Sequence, residues 1–319
     1  MLSVVIRADS GSGVGMGHLT RCVALGQAFR ERGLSPVYEL RHDPAAHSLV
    51  ESAGFVHRLA EPLAVAPECD VLVVDSYAPD RAFFDSALLE VGLLVCLDDE
   101  RRIDFPCQLV VNSTVYAPDL GYPRVAGVEY LLGPDYHPLR RAFWDAIPHR
   151  PRAQGPARVL VMLGGTLSSE TLALADQVAR LQPEWHVTSV SVEEPQGLAD
   201  HVSRVAWGLD DDAMIAVYTS TALCVTAGGQ ALFELARCGV PAAAFSITDN
   251  QDMNLAAWIR TGTTAAIPVS GSLPTAETVV EVVSKLGGGA LSRMSHVGPG
   301  VVDGQGARRV VDEVLARCP

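Results

Sequence analysis

Aromatic residues are scarce, 6% of 319, too few for the stacking platforms that hold single-stranded nucleic acid. Basic residues are in deficit, 24 Lys and Arg against 37 Asp and Glu, for a net charge of −13. A duplex-binding surface needs a basic stripe to displace counterions, so nucleic acid is not an expected partner. A small phosphorylated ligand stays open, because one local positive pocket suffices. The seven cysteines (Cys22, Cys69, Cys96, Cys107, Cys224, Cys238 and Cys318) are odd in number and include no C-x-x-C pair. They read as reduced, buried thiols of a cytoplasmic protein. No H-E-x-x-H occurs among the nine histidines, so a helical zinc site has no support. The start, Met1 to Arg7, has no basic n-region and its apolar run is too short for a signal peptide. No stretch approaches the ~18–20 apolar residues of a membrane span.

What is present is an ordinary globular composition, 48% apolar and 19% charged, unlike a disordered chain. The length is about twice a typical domain of ~150 residues, which predicts two domains. Short β-rich runs alternate with helical spacing. Val4 to Arg7 reads as a strand, and His18 to Arg32 as a helix stopped by Gly33. Pro36 to Leu40, Asp70 to Asp75, Leu93 to Leu97 and Leu109 to Asn112 read as further strands, with a helical stretch from Pro79 to Val91. Three prolines and a glycine between Ile147 and Pro156 mark a linker. A second series follows: a strand from Val159, a helix at Ser169 to Leu181, strands at His186 to Val192, Ala222 to Thr226 and Ala242 to Phe245, and helices at Ala231 to Arg237 and Ala307 to Arg317. The pattern predicts an α/β chain of two Rossmann-like, doubly wound domains, 1–150 and 151–319, facing across a cleft. The last helix has the option of packing back on the first domain. Ligands in such sheets gather at the carboxyl ends of the strands.

The richest stretch is Arg7 to Cys22, where Gly11, Gly13, Gly15 and Gly17 separate the first strand from a helix. Such a loop lets backbone approach a ligand, and the helix start favours an anion. The spacing is neither G-x-G-x-x-G nor a P-loop, which leaves a nicotinamide site without support despite Glu39. His18 follows the loop. The helix dipole disfavours the imidazolium there, so the ring is expected to tend toward neutral and accept a proton; capping the helix is the alternative. Arg21, one turn on, suits a phosphate or sugar hydroxyl, or a surface ion pair. Asp75 and Asp98 end buried strands, as site residues or as caps. Asp98-Asp99-Glu100 hints at Mg²⁺, but no partner acid at useful spacing supports a metal. In the second half, Gly228-Gly229 follow a strand and their amides are expected to hold phosphate oxygens. Glu234, one turn into the next helix, suits a ribose, or is simply exposed. Gly164-Gly165 form a similar strand-end turn. Asn250-Gln251 suit a sugar or phosphate, or cap a helix.

These residues resemble the UDP-2,4-diacetamido-2,4,6-trideoxy-β-L-altropyranose hydrolases of pseudaminic acid biosynthesis. The resemblance runs in order over nearly the whole chain. It begins with Asp9-Ser10 through Gly17-His18, Arg21 and Cys22, then Asp75-Ser76-Tyr77 and Asp98-Asp99-Glu100. It continues with Gly133-Pro134, Tyr136, Leu139-Arg140 and Phe143, then Gly164-Gly165-Thr166, Ala227-Gly228-Gly229 with Glu234, Gly239 and Pro241, and Asn250-Gln251. It implies a glycosyltransferase-B-like (GT-B) fold related to the enzyme that adds N-acetylglucosamine to lipid I. It also implies metal- and cofactor-free release of UDP from a UDP-sugar by water attack at the anomeric carbon. In that scheme His18 is the catalytic base, Glu234 holds the ribose, and Gly228, Gly229 and Gln230 lie near the diphosphate with Gly164 and Gly165. Asp9, Gly15, Gly17, Arg21, Asp75, Tyr77, Asn250 and Gln251 line the substrate. A UDP-sugar is then the expected partner of a monomer or weak oligomer. Gln230-Ala231 depart from the small hydroxyl residues common in relatives at that turn, which leaves the phosphate contacts open. A GT-B glycosyltransferase that passes the sugar to an acceptor is the alternative, and a non-catalytic sugar-nucleotide binder a third reading.

Overall fold

The computed structural model describes residues 2–9, 16–59, 65–145, 158–164, 167–192, 194–197, 200–247, 251–269 and 271–318. Two compact units emerge: Met1–Trp144 with Gly304–Pro319, and Asp145–Asp303. The proline-rich segment expected to be the linker lies outside the described residues.

The first unit is built on seven parallel strands: β1 (Val4–Ala8), β2 (Val37–Leu40), β3 (Val56–Leu59), β4 (Val71–Asp75), β5 (Leu93–Leu97), β6 (Leu109–Asn112) and β7 (Glu129–Leu132). Their order is β3-β2-β1-β4-β5-β6-β7. Chain order reverses between β1 and β4, the switch point at which doubly wound sheets bind ligands. Every residue of β1, β4 and β5 is buried, as expected of strands covered on both faces. Period 2 divides them between two cores. Ile6, Val71 and Val73 pack under α1 (Gly17–Glu31) and α10 (Gly306–Leu315). Val5, Leu72 and Val74 pack under α3 (Arg81–Glu90). The helix α2 (Pro44–Ser52) joins β2 to β3 and is capped by the Asp43 carboxylate, which accepts from the Ala45 and Ala46 amides.

The return of the C-terminal segment to this unit has a specific basis. Ala307, Val310, Val311 and Val314 of α10 enter the core that holds Leu19, Cys22 and Val23 of α1. Arg308 bridges to Glu31 at 2.7 Å, and Arg32 to Asp312 at 2.7 Å. Gly306 lies so close to the chain at His137 that a Cβ there would sit 2.2 Å from the carbonyl oxygen and 2.5 Å from the nitrogen.

The second unit repeats the plan with six parallel strands: β8 (Arg158–Met162), β9 (His186–Ser191), β10 (Arg204–Trp207), β11 (Leu223–Ala227), β12 (Ala242–Phe245) and β13 (Thr264–Ala266). The order is β10-β9-β8-β11-β12-β13, with its switch point between β8 and β11. Helices α4 (Ser168–Leu181) and α8 (Ala276–Lys285) cover one core, in which Val159, Val161 and Val225 meet Ala175, Val178 and Val279. α5 (Asp211–Thr219), α6 (Ala231–Arg237), α7 (Asp252–Thr261) and α9 (Gly288–Val301) complete the unit. Phe233 of α6 and Trp258 of α7 meet edge to face at 4.8 Å.

Candidate functional site

At the switch point of the first unit, the start of α1 lies beside the end of β4. His18 and Arg21 are three residues apart on α1 and share one face. Asp75, the last residue of β4, sits beneath them because Ala8 and Asp75 are in register. His18 Nδ1 lies 2.6 Å from Asp75 Oδ1. Arg21 donates from Nε to Asp75 Oδ2 at 2.6 Å and from Nη2 to Oδ1 at 2.7 Å. Its Nη1 donates to Asp99 Oδ1 at 2.6 Å. Tyr77 meets the His18 ring edge to face at 4.9 Å, and its hydroxyl donates to Asp99 Oδ2 at 3.1 Å.

The electrostatics follow from this geometry. Burial opposes the charge on Asp75, but Arg21 and His18 outweigh it and hold the carboxyl far below the ordinary range. An ionised carboxylate only accepts, so His18 Nδ1 carries the proton and Nε2 is the ring's basic position. The Arg21 Nη2 that lies 3.1 Å from Nδ1 is therefore a neighbour and not a hydrogen-bond partner. Burial lowers the proton affinity of His18, yet the charge and hydrogen bond of Asp75 overcome this and raise its pKa above the ordinary value. This corrects the expectation of a ring driven neutral by the helix dipole: a carboxylate in contact outweighs a partial charge at the helix end. His18 is also not the N-cap; Met16 occupies that position without a side-chain cap.

The other residues named from sequence divide by what they touch. Arg21 is buried, and its guanidinium is held by Asp75 and Asp99, so it forms an internal ion pair and not a surface one. Asp9 accepts from the Ser76 hydroxyl at 2.7 Å and the Tyr77 amide at 2.7 Å, which fixes the turn after β4. Asp98 acts as a cap, accepting from the Glu100 and Arg102 amides and from the Tyr122 hydroxyl. Gly17 opens α1, while Gly15 lies outside the described residues. Glu39 is bound to Arg7 and Arg58.

In the second unit, the turn between β11 and α6 is also at the switch point. The amides expected to hold phosphate are engaged: Gly228 donates to the Phe245 carbonyl at 2.9 Å and Gly229 to the Ala227 carbonyl at 2.8 Å. Tight closure of the turn uses them. The amides of Gln230 and Ala231, at the start of α6, have no acceptor among the described residues. A Cβ at Gly229 would meet no atom of the described residues within 4 Å. Glu234 is half-buried, and the buried Tyr218 hydroxyl donates to its Oε2 at 2.9 Å. It is thus an oriented carboxylate and not a freely exposed one. Gly164, at the end of β8, has φ +109, a conformation that requires glycine. Gln251 stands at the N-cap position of α7 without a side-chain cap; its side-chain carbonyl accepts from the Ile247 amide at 3.0 Å and is used internally. Gly165 and Asn250 lie outside the described residues.

Sequence reasoning did not single out Asp99, beyond its place in the Asp98-Asp99-Glu100 trio, or Tyr218, and named Asp75 without its contact with His18. The i, i+3 spacing of His18 and Arg21 facing two strand-end acids carried the first signal. Nothing in the sequence pairs Tyr218 with Glu234.

No protein-family model matches the chain, and no curated protein sequence matches it. Solved structures do. MurG from Acinetobacter baumannii shares 14% identity at a TM-score of 0.66, covering 98% of this chain and 99% of its own. CalG4, the calicheamicin glycosyltransferase, shares 16% at 0.64, covering 99% and 98%. LpCGTa, solved in complex with UDP, shares 15% at 0.68, covering 99% of each. The chain therefore has the fold of the GT-B glycosyltransferases, two Rossmann-like domains in one polypeptide.

Proposed function

We propose that the chain cleaves the bond between a sugar's anomeric carbon and UDP, with His18 deprotonating the incoming nucleophile. The observation that carries this reading is the His18–Asp75 pair at the switch point of the first sheet. Asp75 fixes the tautomer, so Nε2 takes the proton of an O–H group as oxygen attacks the anomeric carbon. The C–O bond to the β-phosphate breaks and UDP leaves with the electron pair. Asp75 stays ionised and stabilises the imidazolium. A positioned base of this kind contributes roughly 10²–10⁴-fold. In the second unit, Glu234 accepts from the ribose hydroxyls, and the Gln230 and Ala231 amides take phosphate oxygens across the open space at Gly229. The nucleotide contacts thus belong to the second unit and the proton transfer to the first.

Two nucleophiles fit. The structures that share the fold include glycosyltransferases, which favours an acceptor hydroxyl and hence glycosyl transfer. The ordered motifs around His18, Asp75, Glu234 and Gln251 favour water and hence hydrolysis of a diacetamido-trideoxy UDP-sugar. Incubation with a panel of UDP-sugars separates them. Transfer predicts UDP release only when acceptor is added. Hydrolysis predicts release in buffer alone, with ¹⁸O from water entering the sugar. Absence of UDP release under both conditions, across the panel, contradicts the proposal.

A further inference from the structure

The turn after β5 is built with unusual care. Arg101 is the one described non-glycine residue with positive φ, +55, a conformation that costs energy unless its surroundings enforce it. They do: its Nη1 donates to the Gly121 carbonyl at 2.7 Å, and the Asp98 carboxylate gathers the Glu100 and Arg102 amides. At the tip this turn presents Asp99, whose two oxygens do separate work. Oδ1 accepts from Arg21 at 2.6 Å and Oδ2 from the Tyr77 hydroxyl at 3.1 Å.

The charge balance at His18 explains the arrangement. The Asp75 carboxylate is shared, its Oδ1 within 2.7 Å of both the imidazole and Arg21. Arg21 Nη2 lies 3.1 Å from the ring and repels its charged form. Asp99 offsets that cation from the side away from Asp75. Among the described residues, the other groups facing the cluster include Tyr77 across the ring, the Cys22 thiol on Asp75 Oδ2 at 3.5 Å, Asp9 and Glu100, whose charges reach Cys22 and Tyr77, and buried His137, which the Arg21 charge also reaches. Burial first, and then Arg21, hold His137 neutral.

We propose that Asp99 is the positioning residue of the His18 site, countering the Arg21 charge beside the imidazole and anchoring Tyr77 across the ring. It acts through other side chains and is not itself a catalytic residue. The inference rests on His18 as the base, but its principal readout does not need the substrate. The full chain carrying labelled histidine is titrated by NMR, with His18→Gln assigning the resonance. Asp99→Asn is expected to lower the His18 midpoint by about 0.5 pH unit or more, roughly threefold in proton affinity. Asp99→Glu, which keeps the charge, is expected to stay close to the parent. Should Asp99→Asn fail to fold, Asp99→Ser removes the charge, keeps a hydroxyl acceptor and is read in the same way. An unmoved His18 midpoint in a folded, uncharged variant overturns the proposal. Where a substrate is turned over, the acid limb of kcat must move down in parallel with little change in KM. A shifted midpoint without any turnover would instead sink the function and leave the role of Asp99 standing.

Discussion

His18 draws its chemistry from Asp75, and Asp75 is held in place by Arg21. Asp75→Asn keeps the shape but removes the charge that both neighbours need. It leaves Arg21 buried with half its compensation, a loss of about 3 kcal/mol, measured by denaturant unfolding. It also replaces one acceptor oxygen with an amide donor, so the tautomer of His18 is no longer fixed and turnover falls roughly 100-fold or more. The pH dependence has two signs. His18 has a raised folded pKa, so its pairing stabilises fully below about 6.5 and is lost as pH rises through the folded value. Asp75 has a depressed one, so its contribution is present above the ordinary carboxylate range and is lost as pH falls through the folded value. Because a base works unprotonated, turnover is expected to rise with pH through a midpoint above 6.5. A pH–rate profile flat from 5 to 9 contradicts this. In the second unit, Tyr218→Phe frees Glu234 from its hydroxyl partner. UDP affinity, followed by calorimetry, is expected to weaken up to about tenfold, the worth of one hydrogen bond of roughly 0.5–1.5 kcal/mol. An unchanged affinity would separate Tyr218 from nucleotide binding.

Among the elements, α10 has the sharpest requirement. Gly306→Ala would drive a methyl into the backbone of His137. The expected loss is about 1–3 kcal/mol or more, read as a lowered denaturation midpoint with the His18 titration unchanged. The elements also show what the sequence made legible. Leu93–Leu97, Leu109–Asn112, Ala231–Arg237 and Ala242–Phe245 appear at the expected residues, because continuous apolar runs and glycine turns mark buried parallel strands and their helices. Exposed or weakly apolar elements escaped: β3, with burial only at one intermediate position, and α9, rich in glycine with Pro299 inside it. The placement of His18 at the start of α1 and of Asp75 at the end of β4 was readable from the switch-point rule. Which acid touches which base was not, because His18 and Asp75 are 57 positions apart and meet only through the tertiary pairing of β1 with β4.

The first doubly wound unit carries the His18–Asp75 pair, and the second an oriented carboxylate beside two amides that have no acceptor among the described residues. In the proposed mechanism, glycosyl transfer and hydrolysis differ only in the oxygen that attacks, and both use the His18 imidazole. The direct measurement is therefore UDP release by the parent and by His18→Gln, at saturating UDP-sugar, with and without acceptor. The account predicts a fall in kcat of about 100-fold or more, with UDP affinity retained because Glu234 is untouched. A folded His18→Gln protein that releases UDP at the parent rate would contradict it.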